Sequence, residues 1–224
     1  MTPSATWHLV KKDWRLYRNH IVISTLAGLV ALGLCLKGGE VAGSIGAVWI
    51  FTALVIIGCM LPMSAIVNER KKQTLPFIMS LPISVREYTA AKLLSSVGMF
   101  LTPWLMLLAA TVALIEVRDF LPKGSIPFAV IVLLLPFVGF ALITGCALVG
   151  ETEGWAIAAT VACNSSYWLV WFMIARTPGM MDLAKGNVAV WNSQLLWIVA
   201  GELGLIAAAL LLTFYLQSRK TDFI

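Results

Sequence analysis

Six long stretches with almost no charge constrain this chain more than any other feature of its sequence. A helix needs about 20 apolar residues to cross a hydrocarbon core roughly 30 Å thick, and each stretch is close to that length. Because a segment in lipid must satisfy its own backbone hydrogen bonds, and because no alternating strand pattern is present, each stretch is predicted to be a helix. The predicted spans are residues 17–36, 45–67, 93–115, 126–149, 155–175 and 195–216.

The composition indicates the same class of protein. Of the 224 residues 60% are hydrophobic and 12% are charged, and the mean hydropathy is +0.90, values typical of polytopic membrane proteins. We therefore predict an all-α membrane protein in which residues 1–224 form a single transmembrane domain. The first apolar stretch is followed by "KGGEVAGS" rather than by a clear cleavage site, so it is expected to be a retained span and not a signal peptide.

The basic residues predict how the spans are oriented. Six spans place both termini on one side of the membrane, and that side carries 11 of the 16 Lys and Arg residues. Connections rich in Lys and Arg are the cytoplasmic ones, so both termini are predicted to be cytoplasmic. The connection "GETEG", which has two acids and no base, is a local exception. We expect a multi-pass protein of a bacterial-type cytoplasmic (inner) membrane.

The segment 1–18 has a pattern of its own. Apolar and aromatic residues recur at helical spacing, and basic residues fill the remaining arc; the first set is Trp7, Val10, Trp14 and Tyr17, and the second is Lys11, Lys12, Arg15 and Arg18. Such a pattern is typical of an amphipathic helix that lies in the membrane interface. The alternative is an ordinary basic flank that only sets the topology.

The connection 68–92, "NERKKQTLPFIMSLPISVREYTAAK", is unusual because its middle is apolar although charges surround it. Thr74 can cap a short helix that Pro82 ends, and Ser84 with Glu87 matches the capping box that starts the next helix. The short helix would present an apolar surface made of Leu75, Phe77, Ile78 and Leu81. A helix of two turns is unstable alone in water. It therefore needs a docking partner, or it folds back onto lipid or onto the ends of its own spans.

The same stretch resembles the cytoplasmic loop of the type-2 ATP-binding-cassette (ABC) permeases. That loop has, loosely, an acid followed by a base, then T-L-x-x-L/I-x-S-L-P-I-S-x-x-E, then a Lys before the third span. This sequence supplies Glu69-Arg70, Thr74-Leu75, Ser80 to Ser84 as "SLPIS", Glu87 and Lys92. It departs at Pro76, where such loops often carry Glu.

The resemblance implies a transmembrane permease subunit of an ABC exporter, with a short cytoplasmic coupling helix between spans 2 and 3. The coupling helix would dock into a separate ATPase subunit, present in two copies, through Glu69, Arg70, Thr74, Leu75, Phe77, Ile78 and Leu81. The sequence has no G-x-x-x-x-G-K-[ST] motif, so ATP and Mg²⁺ are expected on the partner ATPase and no cofactor on this chain. Six spans are half of the usual twelve, so a second, identical permease subunit is expected. Lipid is the other expected partner, and nucleic acid is not one.

Polar residues inside the predicted spans are candidates for a substrate pathway. Glu202 is an acid within the sixth span, and it lines the pathway, pairs with Arg176 or Lys185, or reaches the interface. Asn164 and Tyr167 in the fifth span either line the pathway or hydrogen-bond between helices. The outer connection 176–194 is predicted to be a re-entrant hairpin or an ordinary outer loop. Prolines in the second to fourth spans, Pro62, Pro103 and Pro136, are expected to kink their helices.

Other classes of function fit the sequence less well. A hydrolase needs His, Ser or paired acids at one depth of the membrane, and both histidines lie near the N-terminus, so no catalytic site is expected. The four cysteines fall inside spans without metal-ligand spacing and are expected to be free thiols. A stand-alone secondary transporter or channel remains the alternative. The apolar and aromatic spans favour a hydrophobic or amphipathic cargo such as a peptide, a lipid or an antibiotic.

Overall fold

In the computed structural model every long element is an α-helix. The structure describes residues 3–36, 40–71, 84–118, 121–150, 152–177 and 179–219, and it contains no strand within them. The long helices are α1 (Pro3–Cys35), α2 (Glu40–Pro62), α3 (Val85–Arg118), α4 (Ile126–Val149), α5 (Glu153–Arg176) and α6 (Ser193–Ser218). Six helices, α2 with the turns that follow it among them, are long and apolar enough to cross a membrane. The predicted all-α fold with six spans is confirmed for the described part of the chain.

Two helices begin well before the predicted spans. α3 begins at Val85, as the capping box predicts, and runs into the span predicted from Leu93, and α1 runs without interruption from Pro3 to Cys35. Between Pro3 and Gly28 the sequence has neither proline nor glycine, so nothing breaks the helix where the interfacial segment was expected to meet the first span. Residues 3–18 are therefore continuous with that span, and their position in the membrane interface stays a prediction.

α2 changes its helical type after Pro62. A π-helical turn, Met63–Val67, follows it, and one α-helical turn, Asn68–Lys71, completes the helix. Proline has no N–H to donate and its ring crowds the preceding turn, so the regular hydrogen-bond ladder is disturbed at this point. A π turn shifts the ladder by one residue and leaves carbonyl groups within reach of other side chains.

The start of α3 has the capping box that the sequence predicts. The Ser84 hydroxyl accepts a hydrogen bond from the Glu87 backbone N–H at 3.3 Å. The Glu87 carboxylate accepts one from the Ser84 backbone N–H at 3.0 Å. These reciprocal bonds satisfy two donors that the first turn of a helix leaves open, so α3 has a defined start at Val85.

α4 is the central helix of the bundle. In its most apolar stretch 67% of the residues are buried, whereas in the corresponding stretches of α5 and α6 only 17% are buried. Phe140 of α4 stacks on Phe100 of α3 with ring centroids 4.4 Å apart, and the Trp104 ring N–H donates to the Leu133 carbonyl at 2.6 Å. α1 packs against α2 and α3, whereas α5 and α6 pack against α4 and leave broad apolar faces exposed.

The two ends of the bundle differ. α1, α3 and α5 begin, and α2, α4 and α6 end, at what we call the N-terminal end. At the opposite, distal end the short helix Met180–Ala184 packs near the 3₁₀ turn Lys123–Ser125, and the Gly124 N–H donates to the Gly186 carbonyl at 2.8 Å. Met180 is buried there. Whether residues 176–194 enter the membrane as a hairpin stays a prediction.

Candidate functional site

The predicted coupling residues fall in two groups. Glu69 and Arg70 lie in the turn Asn68–Lys71, with which the described part of the second span ends. The others belong to residues 72–83, which lie outside the described residues, as does the predicted coupling helix itself; they are Thr74, Leu75, Phe77, Ile78 and Leu81. The candidate site therefore consists of the described residues that adjoin this segment.

Lys92 of α3 is the centre of that site. Only 1% of its surface is exposed, and its Nζ lies 2.8 Å from a carboxylate oxygen of Asp13 on α1 and 2.8 Å from one of Glu69. A further hydrogen bond of 3.0 Å goes to the Ala65 carbonyl in the π turn. Ser95 donates to the same Asp13 oxygen at 3.1 Å. All three ammonium donors thus have acceptors, which is the condition for burying such a charge.

Two further residues complete the group. Lys12 Nζ lies 2.8 Å from Glu69 and 3.3 Å from Asp13, with 44% of the Lys12 side chain exposed. The Tyr88 hydroxyl donates to Glu69 at 3.4 Å. We call Lys12, Asp13, Glu69, Tyr88 and Lys92 the charge cluster. Its two ammonium groups balance its two carboxylates, so the cluster carries no net charge into the protein interior.

The π turn positions α2 within this cluster. Lys92 binds the carbonyl of Ala65, and the Tyr17 hydroxyl donates to the neighbouring carbonyl of Ser64 at 2.7 Å. Both acceptors belong to the turn Met63–Val67, where the hydrogen-bond ladder changes its spacing. The change of helical type that follows Pro62 is therefore stabilised by hydrogen bonds from Tyr17 of α1 and Lys92 of α3.

Arg70 and Lys71 connect the same turn to the other half of the bundle. Arg70 donates to the carbonyl of Leu148 at 2.6 Å and to that of Gly150, at the end of α4. The last carbonyls of a helix have no partner within the helix, and a cation stabilises them. Lys71 Nζ lies 2.6 Å from the carboxylate of Glu153, the first residue of α5.

The turn Asn68–Lys71 therefore contacts four helices through charged side chains. We call it the hub turn: Glu69 contacts α1 and α3, Arg70 contacts α4, and Lys71 contacts α5. Breaking a buried ion pair costs about 3–5 kcal/mol, because one charge is left without compensation. The buried Glu69–Lys92 pair therefore holds the hub turn to α3, whereas the Lys71–Glu153 pair, with side chains 55% and 37% exposed, contributes little.

Sequence reasoning missed most of the charge cluster. Lys92 was noted only as part of the loop pattern, and Lys12, Asp13 and Tyr88 were not candidate site residues. The signal available was Asp13, an acid among bases, which stands three residues after Val10 and four before Tyr17 on one helical face. A charge at that spacing indicates a buried partner.

The observed inner face of α1 explains this omission. Val10, Asp13 and Tyr17 are buried, whereas Trp7 and Trp14, which the pattern assigned to the same apolar face, are exposed at 62% and 39%. The Trp14 ring still lies against Gly98 of α3, whereas Trp7 is largely exposed, as expected of a ring that meets lipid or headgroups. The apolar face of the predicted interfacial helix is therefore divided, because Val10 and Tyr17 are buried and Trp7 is exposed.

Two of the three candidate pathway residues lie together. Tyr167 and Glu202 line one cavity of about 320 Å³ between α4, α5 and α6, which we call the Glu202 cavity. Tyr167 reaches it because its hydroxyl packs against Gly139 of α4, where any side chain would collide with it. Asn164 lies elsewhere: it donates to the Thr160 carbonyl at 2.8 Å and to Cys59 Sγ at 3.7 Å. The bonds of Asn164 support its structural interpretation.

Glu202 is buried without a partner in the described part of the chain. Its exposure is 7%, and neither carboxylate oxygen has a hydrogen bond. The expected ion pair with Arg176 or Lys185 is not formed within ion-pair distance. Arg176 instead lies over the Phe172 ring, 4.0 Å from its centroid.

One of the four cysteines, Cys163, lines the Glu202 cavity. The four cysteines are free, with Cys35 and Cys163 buried. Among the described residues no group of three or more His, Cys, Asp or Glu side chains could hold a metal ion.

Comparisons with known proteins leave the chain without an assigned family. No family model, no curated protein and no solved structure matches it. What the resemblance of the 68–92 connection to the ABC permease loop implies therefore stays a prediction. The observations that bear on function are the geometry of the charge cluster and that of the Glu202 cavity.

Proposed function

We propose that this chain is the transmembrane permease subunit of an ATP-driven ABC exporter. The observation that carries the proposal is the hub turn, which directly precedes residues 72–83 and is joined by charged contacts to α1, α3, α4 and α5. A segment that docks on a motor subunit needs such a rigid link to the spans. The loop pattern from Glu69 to Lys92 supports the same reading.

In this proposal energy comes from a separate ATPase that binds ATP and Mg²⁺. Closure of two ATPase subunits moves the docked segments, which include Phe77 and Leu81. Each hub turn then moves the ends of its four helices as one body, and the spans change between inward and outward access. The buried pairs of Lys92 resist separation, so movement of the loop becomes movement of the spans.

The permease works as a pair of identical subunits in this proposal. Six spans supply half of a twelve-span pathway, and two-fold symmetry gives each subunit one ATPase partner. α5 and α6, which are only 17% buried in their most apolar stretches, have the free apolar surface that lipid and a second copy would cover. The N-terminal end is placed in the cytoplasm, as the distribution of basic residues indicates. The cargo is hydrophobic or amphipathic.

Co-purification with the ATPase tests the proposal. The candidate ATPase, most simply the one encoded by a neighbouring gene, is expressed with the tagged full chain, with Phe77→Asp or with Leu81→Asp. Wild type should retain the ATPase, and both variants should lose it, because a carboxylate cannot enter an apolar groove without a partner. Val117→Asp is the matched control: Val117 is exposed at the distal end of α3, so the ATPase should stay bound.

The opposite result has a definite meaning. If no ATPase associates with the wild-type chain, or if both loop variants retain it, the segment does not dock on a motor subunit. The alternative, a stand-alone secondary transporter or channel, then becomes the hypothesis to pursue.

A further inference from the structure

Glu202 lacks the partner that a buried carboxylate requires. It is more than nine-tenths buried, and neither oxygen has a hydrogen bond in the described part of the chain. Two cations at the distal end of the bundle have contacts elsewhere: Arg176 stacks on Phe172, and Lys123 pairs with Glu116 at 3.4 Å. An ionised carboxylate in a medium of low dielectric constant is costly until an opposite charge approaches it.

The surroundings of Glu202 are those of a ligand site. The Glu202 cavity of about 320 Å³ is within the range of small-molecule pockets, roughly 300–1,000 Å³. Apolar and aromatic side chains form most of its lining, with the Tyr167 ring and the Trp197 indole among them. Ser166 adds a hydroxyl, although it donates to the Cys163 carbonyl at 2.8 Å. One carboxylate in an apolar, aromatic cavity selects for charge and for hydrophobicity together.

The cavity opens on the side of the bundle and not along its axis. Trp197 on its lining is 77% exposed, and Leu142 and Leu205 are also exposed. These residues belong to faces that meet hydrocarbon in a membrane-spanning helix. A ligand that dissolves in the bilayer can therefore reach the carboxylate without crossing water.

We propose that the Glu202 cavity binds an amphipathic organic cation, whose ammonium group pairs with the Glu202 carboxylate while its apolar part contacts Trp197 and Tyr167. The ammonium supplies the missing counter-charge, and both rings add cation–π attraction. The inference narrows the cargo of the proposed exporter to hydrophobic cations and rests on that function only for the role of the ligand as cargo. Binding itself requires neither ATP nor the ATPase.

Ligand binding to the full chain in lipid nanodiscs tests the inference. The probes are benzyltrimethylammonium and its uncharged isostere neopentylbenzene. Their binding is measured by saturation-transfer NMR, and the signal from empty nanodiscs is subtracted. Wild type should bind the cation, and Glu202→Gln should bind it at least about tenfold more weakly, which corresponds to the loss of one ion pair without a hydrogen bond in a medium of low dielectric constant. The neutral isostere should bind both proteins equally, which shows that the cavity of the variant is intact.

Glu116→Gln is the matched control, because it removes an exposed acid at the distal end of α3 without changing the cavity. It should bind the cation as wild type does. Equal cation affinity in wild type and Glu202→Gln would overturn the inference. Absence of cation binding by wild type would also overturn it, as expected if a second copy of the chain fills the cavity. Neither result bears on whether the ATPase docks, so the two proposals fail separately.

Discussion

The charge cluster and the Glu202 cavity both bury carboxylates, and they do so in opposite ways. At the N-terminal end Asp13 and Glu69 are buried with the ammonium groups of Lys12 and Lys92 within 3.3 Å or less. In the cavity Glu202 is buried to a similar degree and has no partner in the described part of the chain. In the first arrangement every carboxylate has an ammonium group at ion-pair distance, although Asp13 Oδ1 has no hydrogen bond, whereas Glu202 has neither an ion pair nor a hydrogen bond in the described part of the chain.

This difference separates a mechanical role from a binding role. A complete set of buried ion pairs resists separation, since removing any one charge leaves another uncompensated. It is therefore suited to joining helices that must move together. An incomplete site is tolerated when something outside the chain completes it, and polar groups without partners inside a membrane protein are functional candidates for that reason. The two regions should respond oppositely to removal of their charges.

Lys92→Met should have the largest effect, because it removes the buried one of the two ammonium groups that pair with Asp13 and Glu69. We expect a loss of about 3–5 kcal/mol in the free energy of unfolding, measured by denaturant titration in one detergent with tryptophan fluorescence. Lys71→Met is the matched control, and about 0–1 kcal/mol should be lost there, because both members of the Lys71–Glu153 pair are exposed. If Lys92→Met and wild type have the same free energy of unfolding, the buried ion pairs of Lys92 do not stabilise the protein, and the contrast with Glu202 disappears.

Arg70→Gln should have an intermediate effect on the same measurement. The variant cannot donate to the carbonyls of both Leu148 and Gly150, so the end of α4 is left partly unsatisfied, at a cost of about 1–3 kcal/mol. Arg86→Gln provides the comparison, because Arg86 is an exposed cation of the first turn of α3 and should change stability by less than about 0.5 kcal/mol. If the two variants behave alike, the hub turn does not connect to α4 as described.

Glu202→Met should have the smallest effect, and of opposite sign. Without an added cation, replacing the unpartnered carboxyl by an apolar side chain of similar length should raise the free energy of unfolding by about 1 kcal/mol. The same denaturant titration measures it, beside Lys92→Met. A clear loss of stability would mean that Glu202 has a partner within the protein, and the contrast between the two regions would disappear.

Much of the fold could be predicted from the sequence, because hydrophobic length is a local property. The six spans required only runs of apolar residues, and α4 was predicted at residues 126–149, where it is found. The capping box at Ser84 and Glu87 is likewise local, since its atoms are three residues apart. The continuity of α1 through residues 3–18 was not predicted, because the basic residues were taken as the mark of a separate interfacial helix.

The candidate sites could be predicted only in part. The pattern from Glu69 to Lys92 included two residues of the hub turn, but it could not name Asp13, which lies 79 positions before Lys92 and bonds to it. Likewise Tyr167 and Glu202 were candidates for one pathway, and the sequence offered no means of separating them from Asn164. Which of these polar groups face the same space depends on the rotation of each helix about its axis.

The sequence by itself determined that this chain has six apolar helices, where they lie and how its basic residues are distributed, because each of these follows from residues close together in the chain. Only the tertiary structure decided that Lys92 finds two carboxylates and that Glu202 finds none. Both are charged residues at the margin or the interior of an apolar helix, and the sequence treats them alike. Their difference comes from which neighbouring helix each one faces, since pairing acts over about 3 Å in space and not along the chain.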